Sequence, residues 1–232
     1  ASPAAMSRSR PPVALLAAAV LIVAAIGVAI GWALPRKSAA APTATTRFIV
    51  SSPGESDLFS PLLTPDGRFL IFVADRLYKR DLASFATVPI PGTEGANAPM
   101  ISPDGRWVAF FANGKIKKVS LAGGDPTTIG EAGGSIPGAA WGPGDTLLFS
   151  KGWATGLFSV PADGGPITQL TEPDLKLGER GHWRPRVLPG EQQVLFTIWM
   201  AGSGINDSRV GLLDLKTKQH RALFPGTDAV YL

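Results

Sequence analysis

Two histidines, His182 and His220, stand 38 residues apart, and the chain has no cysteine. Thiolate nucleophiles, thiolate metal sites and disulfides are therefore excluded. Each histidine, met singly, reads as a structural hydrogen-bonding group rather than as a general base. The densest functional chemistry lies in Gly178 to Arg186, GERGHWRPR, which places Glu179, His182, Trp183, Arg184 and Arg186 in what the sequence suggests is a loop leading into a strand. Its indole and guanidinium groups suit contact with a protein or small-ligand partner. The same stretch also reads as a long connection whose Trp183 packs against the next structural unit. No serine sits in the G-x-S-x-G turn of a nucleophile elbow, and no G-x-x-x-x-G-K phosphate cradle occurs. No catalytic residue, cofactor site or metal site is assigned, and Asp66 and Asp104 read as turn residues.

These side chains need a scaffold, and composition limits its type. The 232 residues include 27 Gly and 21 Pro against 8% aromatics, which favours many short strands joined by turns. The pI of about 9.6 suggests nucleic acid only until the charges are located. Arg8, Arg10, Arg36 and Lys37 flank an apolar run, while the other 18 basic residues share the region from Arg47 onward with all 18 acidic ones. That region is formally neutral and lacks the positive field a phosphate backbone needs, so no nucleic-acid partner is expected.

The apolar run Val13 to Leu34 comprises 22 residues without a charge, 11 of them Leu, Ile or Val. At about 1.5 Å per residue a helix of this length spans roughly 33 Å, enough to cross a bilayer once. Residues 1–12 are then a juxtamembrane segment, 13–34 a transmembrane helix and 35–46 a Pro/Ala/Thr linker. Gly27 and Gly31 form a G-x-x-x-G pair, a spacing that lets two helices approach closely and make a homodimer. Two basic residues on either side of the run leave its orientation undecided by charge.

From Arg47 a unit recurs. Thr64-Pro65-Asp66-Gly67-Arg68 precedes Phe69 to Phe72, and Ser102-Pro103-Asp104-Gly105-Arg106 precedes Trp107 to Phe110. Looser copies start at Gly142-Pro143-Gly144-Asp145 and Leu188-Pro189-Gly190-Glu191, so the prolines fall 38, 40 and 46 residues apart. Pro fixes φ, Asp bonds its own backbone and Gly takes φ values other residues avoid, so each copy is a tight hairpin. Asn113-Gly114 is a second hairpin signal. Four short strands per repeat of about 40 residues describe the blades of a β-propeller. The predicted fold is all-β: a partial propeller with about four four-stranded blades over 47–232, preceded by one transmembrane α-helix.

Ser-Pro-Asp-Gly-Arg-Trp followed by an apolar strand and Lys-Val-Ser-Leu-Ala-Gly-Gly resembles the WD40-like PD40 repeat of TolB-type propellers. Arg47-Phe48-Ile49, Pro91 to Ala96, Trp107 to Leu121, Trp141-Gly142-Pro143, Gly178-Glu179 before His182-Trp183, and Leu195-Phe196-Thr197 resemble the propeller of bacterial receptor-type serine/threonine protein kinases. That resemblance implies an inner-membrane, single-pass protein with a cytoplasmic kinase domain ahead of Ala1 and a periplasmic propeller acting as sensor or interaction scaffold. None of the kinase phosphate-binding, catalytic-loop or metal-binding motifs occurs in this chain. Two further readings stay open: a stand-alone TolB-like envelope protein, and the sensor of a membrane-bound transcriptional regulator. Asp228 to Leu232 resembles the opening strand of a fifth blade, so the ring is expected to continue.

Overall fold

The computed structural model describes residues 49–50, 57–134, 136–190, 192–202 and 207–231. The expected transmembrane segment 13–34, with Gly27 and Gly31, lies outside these residues together with 1–12 and 35–46. Among the described residues no helix is long and apolar enough to cross a membrane.

Four antiparallel sheets of four strands follow one another along the chain. The first holds β1 (Phe59–Leu63), β2 (Phe69–Val73), β3 (Leu77–Asp81) and β4 (Thr87–Pro89); the second holds β5 (Asn97–Ile101), β6 (Trp107–Ala112), β7 (Lys115–Ser120) and β8 (Thr127–Glu131). The third holds β9 (Ala139–Gly142), β10 (Thr146–Ser150), β11 (Leu157–Pro161) and β12 (Thr168–Gln169). The fourth holds β13 (Glu179–Val187), β14 (Gln193–Met200), β15 (Arg209–Asp214) and β16 (His220–Pro225). Each sheet pairs its strands in chain order, and the first strands β1, β5, β9 and β13 neighbour one another in succession. The sheets are thus blades set side by side, with their first strands innermost.

The second strand of each blade is buried on both faces, and this accounts for the apolar runs FLIFV, WVAFFA and TLLFS. Alternate residues of one strand then serve two different interfaces. Val108 and Phe110 of β6 pack with Ile71, Val73 and Leu77 of the first blade, whereas Ala109 and Phe111 pack with Leu147 and Phe149 of the third. In the same way Leu148 faces Val194, Phe196 and Ile198 of the fourth blade. Phe72, Phe110 and Phe149 are fully buried, each worth up to about 3 kcal/mol of apolar transfer.

The turns form as the sequence indicates. Asn113 and Gly114 both take left-handed φ, 53° and 73°, matching the twist of the β6–β7 hairpin. In the Pro-Asp-Gly turn, Asp104 Oδ1 accepts from the Ser102 hydroxyl at 2.6 Å and from the Arg106 N–H at 3.0 Å; Asp66 repeats this with Thr64 and Arg68. The Ser102 hydroxyl, then the Arg106 N–H and guanidinium, hold the Asp104 carboxyl down at about 2. Asp66 is lowered chiefly by Thr64, Asp81 by the Ser84 and Ala83 N–H groups, and Asp214 by Thr217.

These carboxylates are favoured in the folded state, so their contribution is present above the unfolded aspartate value near pH 4 and is lost as pH falls toward 2. The urea midpoint of the full chain in detergent is expected to fall across that window. Asp104→Asn, which cannot titrate, should flatten part of the fall.

Candidate functional site

The stretch expected to be a loop is a strand: β13 runs from Glu179 to Val187, and two bulges let it absorb the additional residues. The first bulge lies between Glu179 and Gly181. Residues three apart on a regular strand face opposite ways, and the inserted residue brings Glu179 and His182 onto one face. The second lies between Trp183 and Arg186, where Arg184 takes φ 52° ahead of Pro185. A proline has no N–H to offer the ladder, so a bulge accommodates it.

This second bulge repeats around the axis. Ser60 (φ 51°) precedes Pro61 in β1 and Ala98 (φ 43°) precedes Pro99 in β5, each at a register shift. Asp228 has the same left-handed φ, 52°. Gly138 holds the equivalent place in the third blade, and a Cβ there would lie 2.8 Å from Arg184 Cα and 3.0 Å from Arg184 N. Gly138→Ala should therefore force the third and fourth blades apart at the axis and cost about 1–3 kcal/mol, measured by thermal unfolding in detergent.

The inner strands enclose an axial cleft of about 500 Å³, lined by Ser60, Asn97, Ala98, Gly138, Arg184, Arg186 and Asp228 among others. Arg184 Nη1 donates to Asp228 Oδ2 at 2.9 Å, and Arg186 Nη2 lies 3.8 Å from Oδ1. Two guanidinium groups face one carboxylate, so these three side chains together leave one positive charge in the cleft. Arg184, Arg186 and Asp228 are each more than two-fifths exposed and remain accessible to a ligand.

The other members of the expected set point elsewhere. Trp183 is buried, donates through Nε1 to the Trp153 carbonyl at 2.7 Å and stacks on Trp199 at 5.0 Å. It thus packs against a turn of the preceding blade. Glu179 and His182 lie between the third and fourth blades and meet His220, which reaches them from the outermost strand β16. Glu179 Oε2 takes three donors: the Asp174 N–H at 2.8 Å, His182 Nε2 at 3.1 Å and His220 Nε2 at 3.3 Å. His182 Nδ1 accepts from the Thr171 hydroxyl at 2.7 Å, and Thr171 Oγ1 accepts the Leu157 N–H at 2.9 Å.

Burial pushes the His182 imidazole down to about 4, against the opposing pull of Glu179. It is neutral at pH 7, with its proton on Nε2. Burial alone would raise Glu179, but the hydrogen bonds from Asp174 and the two imidazoles outweigh it and hold the carboxyl below its ordinary range. The sequence separates the expected residues by only seven positions, yet the fold divides them between an exposed cationic cleft and a buried acid–imidazole cluster. Asp228, which lies beyond β16, and His220, on β16, complete these two sites.

Stacked four-stranded blades around an axial cleft define a β-propeller of the TolB and WD40 kind. TolB from Acinetobacter baumannii superposes with a TM-score of 0.60 at 22% identity, covering 73% of this chain and 44% of that one. The Cps50 (Swd1) β-propeller domain of Myceliophteria thermophila superposes with a TM-score of 0.60 at 13% identity, covering 77% and 59%. An oligogalacturonate lyase in complex with manganese gives 0.56 at 17% identity, covering 71% and 52%. The chain spans about half the length of these proteins, and at such identities the likeness is one of fold. No family model matches the chain, and no curated protein matches it.

Proposed function

We propose that this propeller is a protein-interaction or ligand-sensing scaffold held outside the cytoplasm by the segment 13–34, and that it forms the sensor region of a receptor-type serine/threonine kinase. The observation that carries the binding role is the axial cleft, where the four inner strands converge on Arg184, Arg186 and Asp228. Its surplus guanidinium favours a partner presenting a carboxylate, because a planar acid pairs with arginine through two hydrogen bonds. The fold likeness to TolB and to a WD40-type domain is compatible with a scaffold role.

Membrane anchoring rests on the uncharged apolar run, and the kinase assignment on the resemblance of the repeats to kinase-linked propellers. Gly27 and Gly31 would pair two such helices and bring two kinase domains together. A stand-alone TolB-like envelope protein is the second reading, favoured by the fold likeness and by Met6 standing just ahead of Arg8 and Arg10. Reading the coding sequence upstream of Ala1 distinguishes them. Kinase motifs in frame support the receptor, and initiation at Met6 rejects it in favour of the envelope protein.

A further inference from the structure

We propose that Glu179, His182 and His220 form a binding site for one first-row divalent cation, with zinc the best match, clipping the innermost strand of the fourth blade to its outermost strand. One ligand atom from each of the three residues lies within 4.8 Å of the other two. His182 Nε2 and His220 Nε2 stand 3.1 and 3.3 Å from the same oxygen, Glu179 Oε2. In a tetrahedral site with bonds of about 2.0–2.1 Å, neighbouring ligands sit about 3.3 Å apart, so two edges of the triangle already have the required length. Two imidazoles and a carboxylate form a borderline donor set that suits zinc and leaves one coordination position for water.

The surroundings are those of a metal site. Metal binding shifts the His182 proton from Nε2 to Nδ1, which then donates to Thr171 Oγ1 2.7 Å away and leaves Nε2 free to ligate, while the Asp174 N–H fixes the carboxylate. The Phe196 ring, 4.9 Å from the His182 ring and 5.8 Å from that of His220, forms an apolar wall. Gly211 makes room for it, since a Cβ there would lie 2.5 Å from Phe196 Cζ. His182 and Glu179 are buried, while the His220 side chain is 18% exposed and gives an incoming ion a path from solvent.

The ligands come from strands at opposite edges of one sheet. A bound ion would therefore brace the blade across its full width, which the hydrogen-bonded ladder does only one strand at a time.

The test uses the full chain in detergent, freed of any affinity tag, stripped with chelator, incubated with zinc and desalted. Metal analysis should find one equivalent of zinc retained, and zinc should raise the thermal midpoint. Cobalt in its place should show the visible absorption of a tetrahedral nitrogen–oxygen site. His220→Ala, changed on the outermost strand, should retain no zinc and lose the thermal response. Thr171→Val should weaken binding by about 10-fold. Should His220→Ala fail to fold, Glu179→Gln and His220→Gln provide the comparison. Failure of the unaltered protein to retain zinc overturns the site, as does equal retention by the variants.

Discussion

Gly156→Ala and Gly181→Ala are each expected to destabilise the protein by about 3 kcal/mol or more, lowering the thermal midpoint by about 6–12 °C. A Cβ at Gly156 would lie 1.8 Å from the Thr171 carbonyl oxygen, and one at Gly181 would lie 1.9 Å from that of Trp153. Both obstacles are backbone, so no side-chain rotation relieves them. The chain is held close here because the turn between β10 and β11 lies flat on the start of β13. The His182 N–H donates to the Thr155 carbonyl at 2.9 Å, and Trp183 Nε1 donates to the Trp153 carbonyl. Gly134→Ala is the control, having open space and no left-handed φ, and should stay within about 0.5 kcal/mol of the parent. Circular dichroism of the three variants in detergent checks the order.

Phe149→Ala is expected to cost about 3–5 kcal/mol. The ring is fully buried between the second and third blades, 5.5 Å from the Phe111 ring and 6.2 Å from that of Phe158. Blades contact only their neighbours, so the damage should be graded along the chain. Hydrogen exchange should show loss of protection first in β6, β10 and β11, with β15 least affected. Uniform loss across all four blades would indicate one cooperative unit in place of coupled neighbours.

The sequence exposes those parts of the fold that are set locally. Pro-Asp-Gly at 65–67 and 103–105 and Asn113-Gly114 specify hairpins through residues adjacent in the chain: β2 and β6 start just after the first two, and β6 ends and β7 begins at the third. The inner strand β13 is less legible. Its polar residues read as a loop, but bulges extend the pairing back to Glu179, and a bulge leaves little mark on polar residues such as Glu179 and Arg180. A usable signal was nonetheless present: Pro61, Pro99 and Pro185 each stand four residues before a turn proline, marking the left-handed residue ahead of them.

The sites are legible only in part. Arg184, Arg186, Glu179 and His182 stand out by type, but their division into two sites depends on which face each takes after a bulge. His220 meets Glu179 across a four-stranded sheet and Asp228 meets Arg184 at the axial cleft, separations of 41 and 44 residues that no local pattern encodes.

The central claim, that the propeller is displayed on the far side of the membrane from the cytoplasm, is tested most directly by adding protease to intact spheroplasts and following the region from Arg47 onward by immunoblot. Its loss before lysis is expected, with a cytoplasmic control protein untouched. Survival of the propeller until the cells are lysed, with degradation only afterwards, would put it on the cytoplasmic side.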